Sequence, residues 1–100
     1  MDNQPTKLEF SQNLRTMFYL QHGEDKTIPL KLIECRDHPI PHGEGKVSLL
    51  FQGPDKFVLP GQTYRLRHEH IGEFALFLEA VGSDHKSLYY EAILSHNSQS

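Results

Sequence analysis

Residues 62–81, QTYRLRHEHIGEFALFLEAV, decide the fold of this chain. In the first part, TYRLRHE, a tyrosine, a leucine and His68 alternate with Arg65, Arg67 and a glutamate. Because successive side chains of a β-strand point to opposite faces, this alternation predicts a strand with one buried face and one wet face, which carries the arginines. Gly72 follows, and glycine adopts the positive φ angles that close a hairpin without steric strain. The stretch therefore predicts an antiparallel β-hairpin.

The return strand of this hairpin, residues 74–78 (FALFL), is apolar on both faces. An antiparallel strand with one wet side does not need that composition. We therefore predict that protein covers it on both sides, at the centre of a sandwich or in a small barrel with something packed outside. A buried helix is the alternative. The short length, the flanking glycines and the alternating partner strand favour a strand.

The rest of the chain adds strands and one short helical turn. Ser11 is expected to cap that turn, with Phe10 and Leu14 holding it to the core. We predict an all-β fold, a small antiparallel β-barrel or roll of about six strands, with a sandwich as the alternative. The single β-domain is placed at residues 8–94, between flexible termini at residues 1–7 and 95–100. The further strands are predicted at residues 16–22, 27–36, 46–52 and 88–94.

Composition limits the possible functions. One hundred residues correspond to one domain. The formal net charge is −3 and the sequence contains no block of like charges, so nothing suggests a surface for binding nucleic acid or anionic membranes. The single cysteine, Cys35, excludes an intramolecular disulfide. The N-terminus lacks the basic start and apolar run of a signal peptide, and no segment reaches the ~20 apolar residues of a membrane span. We therefore expect a cytoplasmic protein.

Four segments carry a family resemblance: VSLLFQGP at 47–54, QTYRLRH at 62–68, IGEFALFL at 71–78 and YYEAI at 89–93. Together with the strand residues 30–34 they cover most of the chain, and in order and spacing they resemble a family of small bacterial proteins built on a domain of unknown function. The resemblance implies a compact β-domain and an association with phage-tail-like or tail-collar-type proteins. It implies no catalytic motif.

Four histidines form a candidate metal site. His68 and His70 are two residues apart, so on a regular strand they share a face. His38 and His42 flank the proline-rich loop at residues 37–45, DHPIPHGEG. If the two pairs converge, they supply imidazoles suited to zinc or a similar divalent ion. The alternative is that all four are solvated surface histidines, because no spacing here is diagnostic of a metal site.

Two arrangements suggest an enzyme. Cys35 with His38 resembles a nucleophile and its base, although a buried thiol at the end of an apolar strand is more simply inert. Glu79 and Glu91 resemble paired carboxylates for acid–base chemistry. Strand alternation more simply places both glutamates on the outer face, where they are expected to pair with Arg65 or Arg67 across the sheet.

An aromatic platform for nucleic acid is a further alternative. In a small barrel resembling an OB-fold, exposed aromatic side chains stack on bases. The basic groove that such binding needs is missing, so nucleic acid is an unexpected partner. The aromatic residues considered are Phe51, Tyr64, Tyr89 and Tyr90.

Protein binding is the function that this pattern favours most. Strand edges and proline-rich loops are natural docking sites, by β-addition or by loop contact. We predict a non-enzymatic interaction or structural module, with a protein partner or self-association, no membrane partner and no required cofactor. A histidine-based metal protein or metal-dependent hydrolase is the alternative. The predicted partner-binding residues are Pro39, Ile40, Pro41, Arg65 and Arg67.

Overall fold

A computed structural model describes residues 4–38, 45–56 and 58–96. In this part of the chain, one helix precedes six strands, which form a closed barrel in the order β1-β2-β3-β6-β5-β4, with every pairing antiparallel. The predicted all-β barrel of about six strands is confirmed. The elements are α1 (Lys7–Ser11), β1 (Met17–His22), β2 (Lys26–His38), β3 (Gly45–Pro54), β4 (Gln62–His68), β5 (Gly72–Ser83) and β6 (Ser87–His96).

The core lies inside the barrel and is filled by alternate residues of every strand. Four phenylalanines form its aromatic centre. The ring of Phe18 contacts that of Phe51 at 5.4 Å between centroids and that of Phe74 at 6.1 Å, both edge to face. Phe10 of the helix stacks on Phe18 at 6.0 Å, so the helix closes one end of the barrel. All four side chains are at most 3% exposed.

The helix begins one turn earlier than predicted. Thr6 is its N-cap, and its hydroxyl accepts from the Glu9 N–H while the Glu9 carboxylate accepts from the Thr6 N–H. Ser11 is the last helical residue, so its predicted capping role is wrong. Phe10 anchors the helix as predicted, but Leu14 is 39% exposed. Because Thr-x-x-Glu is a complete capping box, it competes better for the N-terminus than a lone serine does.

The central hairpin is confirmed, and one prediction about it is wrong. Gly72 closes the turn with φ +95°, and Leu66 pairs with Phe74 in the ladder. Residues 74–78 form a strand, but protein does not cover both of its faces. Phe74, Leu76 and Leu78 point into the core, while Phe77 on the outer face is 53% exposed. Among the described residues, no layer packs outside this part of the barrel, because the short helix covers its end rather than its wall.

The other end of the barrel is closed by the segment that leads into β4. The phenol oxygen of Tyr90 accepts a hydrogen bond from the buried N–H of Leu59 at 3.1 Å. The hydroxyl of Tyr64 donates to the Pro60 carbonyl at 2.6 Å. Two inward-pointing tyrosines thus satisfy backbone groups that the strand ladders do not reach.

Tyr90→Phe is expected to lower the free energy of unfolding by about 1–3 kcal/mol, because it leaves the buried Leu59 N–H without an acceptor. Chemical denaturation measures the change. Tyr89→Phe is the matched control, since the Tyr89 hydroxyl donates to the exposed Asp84 carboxylate and its loss leaves nothing buried. Equal effects of the two substitutions would contradict the prediction.

Candidate interaction surface

His68 is a core residue rather than a surface ligand. It ends β4 on the inward face and is 2% exposed, with its ring 4.3 Å from that of Phe18. Its Nδ1 accepts a hydrogen bond from the His70 N–H at 3.0 Å, so the proton of the neutral ring is on Nε2. That Nε2–H donates to the Thr16 hydroxyl at 2.7 Å, which in turn donates to the Asn13 carbonyl.

Burial lowers the pKa of His68, with a smaller contribution from neighbouring His70 and a weak opposing one from Glu69. Protonation of Nδ1 would also replace this acceptor by an N–H, so two donors, the ring Nδ1–H and the His70 N–H, would face each other. The Nδ1 lone pair and the Nε2–H are therefore both hydrogen-bonded to protein groups. The arrangement holds a neutral imidazole that fixes the turn after β4.

The other predicted ligands are only partly described. The side chain of His70 is 67% exposed, with its ring 5.6 Å from that of His68. The N–H and carbonyl of Leu32 in β2 hydrogen-bond to the segment before β1, which includes Thr16, the residue that contacts His68. His38 ends β2 six residues beyond Leu32, roughly 20 Å further along the strand. His42 lies outside the described residues. Within the described part of the chain, no three potential ligands group together, and convergence of all four histidines stays a prediction.

The thiol of Cys35 does not have the character of an activated nucleophile. It is half-buried against the core, opposite Leu49 on β3. Burial raises its pKa, and the nearby Asp37 carboxylate adds to this, against a lowering effect of Lys7. A raised pKa keeps the thiol protonated at neutral pH, whereas nucleophilic cysteines have a lowered one.

The aromatic platform considered for nucleic acid is not on the surface. Phe51, Tyr64 and Tyr90 are at most 4% exposed and belong to the core. Tyr89 is half-buried and hydrogen-bonded to Asp84. The expectation of outward stacking rings on these strands is therefore wrong, because strand alternation places three of them inside the barrel.

Glu79 and Glu91 face outward, as predicted, but their predicted pairing is wrong. They are direct cross-strand partners of each other in the β5–β6 ladder. No ion pair among the described residues joins either of them to Arg65 or Arg67. Glu91 instead accepts a hydrogen bond from the Ser48 hydroxyl at 2.8 Å. Two like charges thus stand side by side on the barrel wall, which is unfavourable in the isolated chain.

The two arginines lie on the outer face of β4, beside an apolar side chain. Arg65 pairs in register with Ala75, and Arg67 with Glu73, and both arginines are exposed. Two ladder positions beyond Arg65, and on the same face, Thr63 faces Phe77. The outer wall formed by these residues is called the Phe77 face below; Glu91 is half-buried in it and the others are exposed. Its members are Arg65, Arg67, Glu73, Phe77, Glu79, Glu91 and Ile93. Pro39, Ile40 and Pro41, the other predicted partner-binding residues, lie outside the described residues.

A groove runs through the Phe77 face because β5 and β6 diverge. The last pair of the β5–β6 ladder toward the α1 end is Glu79 with Glu91. Beyond it, residues 72–78 of β5 pair only with β4 in the described part of the chain. The groove has a volume of about 540 Å³. Phe77 and Ile93, 53% and 47% exposed, stand on its two sides. Its lining residues are Gln4, Thr63, Ala75, Leu76, Phe77, Ile93 and Leu94.

Strand pairing in the hairpin contains a sequence signal that Phe77 is exposed. The alternation in β4 assigns the arginines to the wet face. Antiparallel pairing through a turn at Gly72 then places Phe77 opposite Thr63, on that same wet face. Pairing the two strands of the hairpin residue by residue, rather than interpreting the apolar run alone, identifies Phe77 as an exposed aromatic side chain.

Comparison with known proteins places this barrel in a family. A family model described as a domain of unknown function (DUF6916) matches residues 5–94, from just before α1 to within β6. The chain belongs to this family. The resemblance to a domain of unknown function is therefore confirmed, while bacterial origin and an association with phage-tail-like proteins stay predictions. No curated protein and no solved structure gives a significant match.

The described part of this DUF6916 domain contains no helix with the length and apolar character needed to cross a bilayer.

Proposed function

We propose that this domain is a non-enzymatic protein-interaction module that binds its partner through the Phe77 face. The observation that carries the proposal is Phe77 itself, a phenylalanine 53% exposed in the middle of a strand. Exposed aromatic and arginine side chains are enriched at the energetic centres of protein interfaces. The face combines both, with Arg65 and Arg67 at one end of an apolar centre.

Backbone groups add to this surface. Along residues 72–78, the ladder on the β6 side is missing in the described part of the chain. Unpaired strand edges are templates for an added strand, and proteins that leave them accessible use them for β-addition or protect them. A partner segment lying in the groove would contact these groups and the Phe77 and Ile93 side chains together.

A non-enzymatic role is supported by the state of the reactive groups. Both nitrogens of His68 are bound by protein groups, and burial raises the pKa of the Cys35 thiol. The groups that suggested chemistry thus serve packing and backbone satisfaction. An accessory role in a phage-tail-like assembly is the finer form of the proposal, and the family resemblance alone supports it.

Phe77→Lys is expected to weaken binding of the protein that co-purifies with the wild type by at least about tenfold, since truncating a central aromatic at an interface typically costs about 2 kcal/mol or more. Leu8→Lys is the matched control, because Leu8 is an apolar side chain 62% exposed on α1, outside the Phe77 face. Titration calorimetry with the purified partner measures affinity. Circular dichroism confirms that both variants stay folded. Unchanged affinity of Phe77→Lys would overturn the proposal.

A further inference from the structure

We infer that the partner of the Phe77 face is a second copy of this chain, bound about a two-fold axis through Phe77. The inference rests on the proposed function, since it names the partner of that same surface. What carries it is the charge layout of the face. One end carries Arg65 and Arg67 with the single acid Glu73 and is net basic, the other end is acidic, and the apolar centre lies between them.

The strand register gives the spacing of these groups. Arg65 pairs with Ala75, two residues from Phe77 toward the α1 end of the barrel. Glu79 is two residues from Phe77 in the opposite direction, with Glu91 directly beside it on β6. Two strand residues span about 7 Å. Arg65 and the glutamate pair therefore stand about 7 Å to either side of the Phe77 level.

A two-fold axis that lies in the plane of the face converts this layout into complementary contacts. With the axis through Phe77 and across the strands, the two Phe77 rings meet at the centre. Arg65 of each copy then lies at the level of Glu79 of the other, about one strand spacing of 5 Å to its side, with Glu91 one strand further away. An isologous contact requires such a self-complementary patch, in which each contact occurs twice.

Within one chain these charges are only partly compensated. The ion pairs of the described residues involve neither Arg65 nor Glu79, and Arg65 faces Ala75 directly across the ladder, with Glu73 as its diagonal neighbour. Arg67 is different because Glu73 lies opposite it. The second copy supplies a cation to the repelling pair of glutamates and an anion to Arg65, and it covers the apolar groups between them.

The contact is expected to be weak and sensitive to salt. The outer wall of a six-strand barrel is convex, so two copies touch over a limited patch, and small interfaces belong to transient complexes. Exposed ion pairs are screened by salt over a Debye length of about 8–10 Å. Self-association is therefore expected to weaken as ionic strength rises, and Phe77→Lys is expected to abolish it.

Charge reversal in two separate variants tests the geometry. Arg65→Glu makes both ends of the face acidic, and Glu79→Arg adds a cation to the acidic end opposite Arg65 of the other copy. Each variant alone is expected to dimerise at least about tenfold more weakly than the wild type. An equimolar mixture is expected to recover association to within about threefold of the wild type, because each copy then meets its opposite charge. Both residues are exposed, so folding is preserved.

Sedimentation equilibrium at low salt, from about 1 µM to about 1 mM, spans the relevant affinities. Recovery in the mixture supports the inference. Homodimers of either variant as tight as the wild type overturn it, and so does a mixture no tighter than its components. If the wild type stays monomeric while another protein binds in a Phe77-dependent way, the inference fails and the proposed function stands. If no protein binding depends on Phe77, both fail.

Discussion

Phe18→Ala is expected to destabilise the barrel by about 3–5 kcal/mol, the range found when a fully buried phenylalanine is truncated. Phe18 is 0% exposed. Its ring contacts those of Phe10, Phe51 and Phe74, which come from the helix and from two other strands. Truncation opens a cavity at the point where the helix meets the sheet, and rings held by three different elements cannot move together to fill it.

Urea denaturation of the wild type and the variant measures this effect. Tyr19→Ala, one residue further along β1, is the control because its side chain points outward and is 40% exposed. Its cost is expected to be within about 1 kcal/mol, as for most surface substitutions. Since domains of this size have a total stability of about 5–15 kcal/mol, Phe18→Leu provides a milder variant if alanine prevents folding. Equal costs at positions 18 and 19 would show that β1 does not have the described orientation.

The stability of the wild type is expected to fall as the pH drops below about 6.5, the ordinary pKa of histidine in an unfolded chain. Burial lowers the pKa of His68 in the folded state, so the unfolded chain binds the proton first. Above that pH both states hold a neutral ring, and His68 adds no pH dependence. Between about 6.5 and the lowered pKa, one proton changes the free energy of unfolding by up to about 1.4 kcal/mol per pH unit.

His68→Gln isolates this contribution. A glutamine amide offers an acceptor to the His70 N–H and a donor to the Thr16 hydroxyl, yet it does not titrate. Urea midpoints measured across the window are expected to decline less steeply with acid in His68→Gln than in the wild type. His70→Gln, an exposed position in the same turn, is expected to keep most of the wild-type slope. Identical slopes in the wild type and His68→Gln would rule out His68 as the titrating group.

Local patterns predicted the fold well where each element is specified by neighbouring residues. The β4 alternation and Gly72 located the hairpin, because pleat geometry and the φ preference of glycine act within a few residues. The same alternation put His68 on the face of the core residues Tyr64 and Leu66. His68 was proposed as a metal ligand because residues two apart on a strand share a face. That argument does not apply to His68 and His70, because β4 ends at His68.

The candidate site was predicted less well, because it depends on how distant strands are placed. Arg65 and Arg67 were identified as partner-binding candidates, and they do lie on the surface that we propose. Phe77 was assigned to a covered position, since five apolar residues in a row do not reveal whether a second layer exists. The pairing of Glu79 with Glu91 depends on the register between β5 and β6, which contains an irregularity after Ala80.

By itself, the sequence determined that this chain forms strands closed by glycine turns and begins with a capped helix, because these choices depend on interactions within a few residues. Tertiary structure alone decided that the barrel closes as β1-β2-β3-β6-β5-β4, that the helix fills its end rather than its wall, and that Phe77 faces solvent between opposite charges. Such features arise from contacts between segments far apart in the chain. No local pattern encodes them, since burial of one face depends on which other element happens to lie against it.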